Sequence, residues 1–411
     1  MAEGAAPRLR VRRVTGAPVV AVRVWVAGGA RREGPPGAAL IAGRLLSEGT
    51  AERSWSEIAA AIEARGFALS SFGSYELHGL SLDGLAADWE WALDQAADLI
   101  YRASFPEDRC RWLTRQAAAE LDSLADQPQV KTSWGFSEQL YRPHRRRLPV
   151  QGTSADLAAL TAQQCAEFHR ATLAAAPLVI TVAGEIDESA VQSRLEQLFP
   201  PARGEGGALD STPAPDGSAA ARREVRFEAA GSGEQAHLFL GHLTVPRHHD
   251  DFDALDLLSV VLGSGSGLTG RIPDRIREQE GLAYTASAHA ALGAGIDAGR
   301  LTAYVGTSVA TVEQAERGVR EELEKVLADG IRDDELESAR SYLLGRLPFA
   351  RETARQWADL LATAVLYDLP LDRPGWREQR LEGLDRGAVE AAARRHLDPQ
   401  ALRVTVGLPA G

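Results

Sequence analysis

Residues 201–222, PARGEGGALDSTPAPDGSAAAR, constrain this chain of 411 residues more than any other stretch. Gly, Pro, Ala and Ser dominate, and almost no large apolar side chain is present, so the segment can bury little surface and reads as a linker. It falls near the middle. On either side the hydrophobic periodicity gives the same order: strands, helices, strands, helices and a last strand. The expected fold class is therefore α+β, with two similar domains of about 200 residues, each a mainly antiparallel sheet packed with helices. The boundaries predicted are 1–202, a linker at 203–221, and 222–411. No short tandem repeat is visible.

In the first half, LRVRRV and VVAVRVWVA alternate as two strands meeting at Gly16. A helix is predicted over 38–48, and a second over 54–64, where Ser54 and Glu57 form a possible capping box and Gly66 ends the run. FALSSFGSYELHGLSLDGL reads as a hairpin. Ala-rich amphipathic helices follow at 86–102, 106–126 and 128–140, then one at 155–172 leads to the buried strand LVITVAGEI. The second half starts with REVRFEAA and QAHLFLGHLTV. It continues through a helix at 251–263, a Gly-rich turn, a short helix ending at Gly281, two strands and further helices, and closes with ALRVTVGL.

Composition excludes several classes of function. At 45% hydrophobic and 25% charged, the chain is too apolar for global disorder. A net charge of −12 argues against a nucleic-acid partner, which needs clustered Lys and Arg. Lys131 and Lys325 are the only lysines, so the positive charge is almost all guanidinium. Cys110 and Cys165, with no CxxC, suit a reducing compartment better than a disulfide framework. Arg23 breaks the apolar run of the N-terminal segment, so no signal-peptide core is read there. No stretch reaches the roughly 18 apolar residues of a bilayer span. A cytoplasmic protein without a membrane partner is expected. No G-x-S-x-G elbow occurs, and neither cysteine lies in a nucleophile motif.

The stretch GGARREGPPGAALIAGRLLSEGTAERSWSEIAAAIEARGFALSSFGSYE carries a set of landmarks: Gly28, Gly29, Glu33, Gly37, Gly49-Thr50, Gly66 and Glu76. RPHRRRLPVQGTSADLAALT, PLVITVAGEID and LGSGSGLTGRIPDRIREQEGLAY follow in order. In this succession the chain resembles the pitrilysin/insulinase-type, inverted-motif zinc metallopeptidases, a family that includes mitochondrial processing peptidases and small bacterial peptidases. The resemblance implies that the helix before Gly49-Thr50 should carry H-x-x-E-H, two histidines one helical turn apart as zinc ligands and a glutamate polarising water. Those positions are here Leu40, Gly43 and Arg44, and none can act as its counterpart does. Leu and Gly bring no donor atom, and a guanidinium repels a dication. No H-x-x-E-H occurs anywhere in the chain. Glu120 sits where the third ligand would be expected; without the others it reads as a helix-surface carboxylate. No metal and no cofactor are expected in this chain.

The second half keeps a different element of the family pattern. Relatives position substrate with an arginine and a tyrosine in L-R-x-x-x-G-L-x-Y, and the corresponding IREQEGLAY gives Arg277 and Tyr284 as substrate-binding residues. Pro273 suits a first helical turn and Gly281 a left-handed stop, which puts Arg277 in a last turn and Tyr284 at a strand start. A guanidinium and a phenol are suitable donors to a scissile carbonyl or to the oxyanion of a tetrahedral intermediate. Taken alone, the two also fit a surface arginine and a half-buried strand tyrosine.

Other segments carry weaker signals. LGSGSGLTGR, 262–271, follows a helix and lacks the lysine of a phosphate loop; it reads as a connection or as a glycine-rich loop near substrate. His248-His249-Asp250-Asp251 has the elements of a metal cluster, but adjacent loop residues seldom converge, and it is read as an exposed helix start. His169 is read as a helix residue contacting the following turn, and RPHRRR, 142–147, as a solvated basic loop or partner-contact patch. Ser70 replaces the asparagine with which active relatives hold substrate backbone.

Together these readings imply a non-zinc-binding subunit of a heterodimeric zinc metalloendopeptidase, inactive alone. Its partner would be a homologous subunit bearing the zinc, and its ligand a peptide substrate. The alternative is a catalytically inactive structural or peptide-holding homologue.

Overall fold

The computed structural model describes residues 7–200, 215, 221–228, 235–265, 269–370, 373 and 375–410. Apart from Pro215, the linker expected at 203–221 lies outside the described residues until Ala221. Two compact units are present. The first comprises Met1–Asp122, His144–Pro213 and Phe349–Asp372; the second comprises Ser123–Pro143, Ala214–Pro348 and Arg373–Gly411.

The sheet of the first unit contains β1 (Arg8–Arg13), β2 (Val19–Ala27), β3 (Ala68–Gly73), β4 (Leu77–Leu85) and β5 (Leu178–Gly184), in the order β1-β5-β2-β4-β3. The second has β6 (Arg222–Phe227), β7 (Gln235–Leu243), β8 (Ala283–Leu292), β9 (Arg300–Ser308) and β10 (Arg403–Pro409), in the order β6-β10-β7-β9-β8. The two orders are the same once five is subtracted from each label of the second. In each, the outermost pair, β1 with β5 and β6 with β10, is parallel and the remaining pairings are antiparallel. The duplicated α+β architecture is thus present strand for strand.

Period-two alternation explains the first unit's layers. On β2, Val20, Val22, Val24 and Val26 enter the main core with Leu80, Leu82, Ile180 and Val182, and the Ala38–Leu45 helix packs into the same cluster. The intervening Ala21, Arg23 and Trp25 face the other side. There they meet the Ala354–Leu366 helix, which belongs to this unit although it comes from the other half of the sequence. Thr181 Oγ1 donates to the Ala358 carbonyl at 2.8 Å. Arg23, 3% exposed, donates to Asp359 at 2.5 Å and Asp83 at 2.7 Å, so the charge that interrupts the apolar run is neutralised inside the layer.

The second unit repeats the arrangement with the Pro128–Tyr141 helix, drawn from the first half. Phe136 stacks on Phe239 with ring centroids 5.8 Å apart, and Gln139 Nε2 donates to the Val404 carbonyl at 3.0 Å and to Thr405 Oγ1 at 2.6 Å. Both units therefore depart from contiguous halves for one physical reason. Each sheet is apolar on both faces and needs two covering layers. Among the described residues, no helix is long and apolar enough to cross a membrane.

Candidate functional site

The Ala38–Leu45 helix is started by a buried carboxylate. Glu33 accepts from the backbone N–H of Gly37 at 3.1 Å and of Ala39 at 2.8 Å, satisfying donors that a helix N-terminus leaves over. Arg145 Nε donates to the same carboxylate at 2.5 Å, and its other nitrogens reach the carbonyls of Leu148, Pro149 and Val150. Burial pushes the Glu33 pKa up, while Arg145 and the two N–H groups oppose that shift. RPHRRR is consequently not a solvated loop: Arg145 and His144 are buried, 7% and 4% exposed. The basic run hid a structural brace.

Along this helix, the three positions matching the zinc motif serve other purposes. Leu40 is buried in the main core. A Cβ on Gly43 would lie 2.1 Å from the Phe72 carbonyl oxygen and 2.7 Å from the Gly73 nitrogen, so helix and β3 meet backbone to backbone. Ser71 on β3 donates its hydroxyl to the Arg44 carbonyl at 3.1 Å, which ties the strand to that turn. The guanidinium of Arg44 donates to both oxygens of Glu120, Nη2 to Oε2 at 2.8 Å and Nη1 to Oε1 at 3.5 Å. Glu120, on the helix Glu107–Ala125, is a surface carboxylate as expected, 37% exposed, and its partner is the Arg44 guanidinium.

These residues do not fit a zinc ion. One carboxylate remains of the ligand set, its two oxygens are occupied by a guanidinium, and strand backbone fills the place of the general base. Arg44 places one positive charge beside Glu120, without open coordination positions.

In the second unit, Arg277 lies in the helical segment Asp274–Gln279 and Tyr284 near the start of β8, on either side of Gly281. Gly281 adopts φ +61°, the left-handed stop expected of it. Leu282 N–H returns to the Ile276 carbonyl at 2.9 Å and directs the chain into β8. There the register slips between Ala283 and Thr285, leaving Tyr284 as the extra residue of a bulge on an edge strand. A bulge re-aims its side chain, and Tyr284 is 92% exposed, an unusual cost for so large an aromatic group. Arg277 is more enclosed, with 22% of its side chain exposed, and its Nε donates to Glu278 at 2.7 Å. Of the Gly-rich stretch 262–271, residues 266–268 lie outside the described residues.

Two family models match. Residues 11–153 fit the family described as insulinase (peptidase family M16), and residues 159–343 fit the peptidase M16 inactive domain. The chain belongs to the M16 peptidase family. A Mycobacterium leprae protein described as an uncharacterized zinc protease is 29% identical over 84% of this chain and 77% of its own length. A Bacillus subtilis protein with the same description is 27% identical, over 81% of this chain and 80% of its own. Among solved structures, a peptidase M16 inactive domain from Pseudomonas fluorescens superposes with a TM-score of 0.87 at 22% identity, covering 99% of this chain and 96% of that one. The periplasmic protease PqqL from Escherichia coli gives 0.79 at 17% identity and covers 98% of this M16 chain but 44% of PqqL. At such identities the structural likeness speaks for the fold.

Sequence reasoning missed two further features of this M16 chain. Besides the Thr172 hydroxyl of the next turn, which donates to its carbonyl at 3.0 Å, the buried His169 meets partners the sequence did not show, with Nδ1 3.0 Å from His78 Nε2 and Nε2 2.8 Å from the Ile100 carbonyl. The Arg44–Glu120 pair was the other. Its only signal was the joint presence of a carboxylate at the third-ligand position and a cation at the second.

Proposed function

We propose that this M16 chain is the non-zinc subunit of a heterodimeric zinc metalloendopeptidase. It contributes substrate binding and oxyanion stabilisation to a site whose zinc is held by a homologous partner chain. One observation carries the reading. The zinc-motif positions are closed by the Arg44–Glu120 pair and the Gly43–Phe72 backbone contact, while Tyr284 is held out on a bulge at 92% exposure. A fold that had lost all contact with substrate would gain by burying that ring. In the proposed complex the Tyr284 hydroxyl and the Arg277 guanidinium donate to the scissile carbonyl oxygen of an extended peptide, and they bind it more strongly as it becomes an oxyanion.

The test is co-expression and co-purification with a zinc-bearing M16 homologue from the same organism, followed by peptide-cleavage kinetics. Arg277→Ala is expected to lower turnover by roughly 10²–10³ while the zinc content of the complex stays constant. The contact between Arg277 and Glu278 favours a second reading, in which the chain holds peptides or braces an assembly without catalysis. Unchanged turnover in Arg277→Ala and Tyr284→Phe would establish that reading and remove the first.

A further inference from the structure

Three potential metal donors from two segments converge in the second unit, which does not contain the degenerate zinc motif. His249 and Asp251 precede the Phe252–Ser259 helix, and His396 ends the Arg386–His396 helix. One ligand atom from each lies within 4.8 Å of the other two. His396 Nε2 is 2.7 Å from Asp251 Oδ2, and His249 Nδ1 is 4.0 Å from the same oxygen. The two imidazoles meet edge to face at 5.1 Å. Asp251 stands at a helix N-cap, where a carboxylate ordinarily accepts from the first-turn N–H groups, yet its side chain makes no capping bond. It faces His396 and Arg395 instead. The His249 side chain is 39% exposed, against 16% for Asp251 and 19% for His396, so solvent can reach one side of the cluster.

We propose that His249, Asp251 and His396 form a binding site for a transition-metal dication of the zinc type. Two imidazoles and a carboxylate suit zinc, cobalt, nickel or copper and are a poor set for magnesium or calcium, which prefer all-oxygen shells. Tetrahedral zinc with bonds of about 2.0 Å places its donors about 3.3 Å apart. The two separations from Asp251, 2.7 and 4.0 Å, bracket that value, and all three ligand atoms lie within 4.8 Å of one another. Binding through His396 Nε2 takes the neutral ring with its one proton on Nδ1, so the Nε2 contact with Asp251 is exchanged for the ion. His249 Nδ1 then gives up the Asp251 N–H that it accepts at 3.1 Å. Solvent fills the fourth position.

Two neighbours define the site's limits. His242 does not join, because its Nε2 accepts the Asp398 N–H at 3.0 Å and its Nδ1 lies 2.9 Å from the Leu243 carbonyl. Arg395 competes with the ion: its Nε and Nη2 hold the two Asp251 oxygens at 2.9 and 2.6 Å. The metal must displace one of these contacts next to a permanent positive charge, which weakens its binding.

The experiment uses the untagged full chain, stripped with a chelator and titrated with Zn²⁺ by calorimetry in a non-coordinating buffer. Co²⁺ absorption spectra supply the geometry. One zinc per chain is expected. His396→Ala and His249→Ala should each lower the affinity by more than the roughly tenfold that loss of an outer-shell partner costs, and Arg395→Gln should raise it. His249 is the more exposed ligand, so its variant keeps the fold intact, as a melting curve will show. Three results would overturn the site: no saturable binding, binding that survives both histidine variants, or an affinity that Arg395→Gln leaves unchanged or lowers. Glu120→Gln separates this site from the subunit assignment. Zinc lost in that variant and retained in the histidine variants would contradict both. Absence of any binding would contradict the surface site alone.

Discussion

Arg44 and Glu120 lie 76 positions apart in sequence, and each loses its meaning without the other. Their side chains are 26% and 37% exposed, so water screens the attraction. A double-mutant cycle with Arg44→Met and Glu120→Gln should return a coupling of about 0.5–1 kcal/mol in urea unfolding; zero coupling would mean that the pair is incidental. Gly43 is less forgiving. Adding one methyl group 2.1 Å from a backbone oxygen forces helix and strand apart. Gly43→Ala should therefore lower stability by roughly 1–3 kcal/mol, and an unchanged denaturation midpoint would show that β3 yields. The Glu33–Arg145 pair has side-chain exposures of 0% and 7%. Replacing Arg145 with Met leaves a buried carboxylate uncompensated and should cost about 3–5 kcal/mol. Calorimetric melting measures that loss, and a change below about 1 kcal/mol would assign the pair to the weak class.

At the scale of elements, the strands were legible because alternation and turn residues are local signals. The Ser54–Glu57 capping box formed as its spacing predicted. The crossing of the Pro128–Tyr141 and Ala354–Leu366 helices into the units of the opposite halves was not legible. An amphipathic helix records that it has an apolar stripe, but not which sheet the stripe will cover. Buried histidines escaped for a similar reason, since a lone His in a helical run gives no sign of a partner on a strand. His169 Nε2 reaches the Ile100 carbonyl and so carries the proton, and its Nδ1 accepts from His78 on β4. Burial lowers both pKa values, and His169 lowers that of His78 further. The unfolded chain takes up protons at these histidines below about pH 6.5, and the native protein does so only at lower pH. Stability therefore falls as the pH drops through that region, by up to about 1.4 kcal/mol per pH unit for each histidine. Urea midpoints at pH 7, 6 and 5 should decline less steeply in His169→Phe than in the wild-type chain; parallel declines would contradict the relay.

For the whole molecule, the family could be read from an ordered series of landmarks, and the absence of H-x-x-E-H from Leu40, Gly43 and Arg44. The Arg44–Glu120 pair needed coordinates, as did the bulge that turns Tyr284 outward. Two sheets of the same strand order differ in what they present: in one unit the Ala38–Leu45 helix is closed by the Arg44–Glu120 pair and the Gly43–Phe72 contact, and in the other Tyr284 is an exposed phenol. On the proposed reading, such a chain is half of a catalyst. The central claim meets its most direct measurement in peptide cleavage by this chain alone, by a zinc-bearing M16 partner alone, and by the two mixed. Only the mixture should cleave at full rate, and Tyr284→Phe in this chain should reduce its kcat by about 10² or more without loss of zinc from the complex. Cleavage by this chain alone, or a mixture whose kcat is unaffected by Tyr284→Phe and Arg277→Ala, would contradict it.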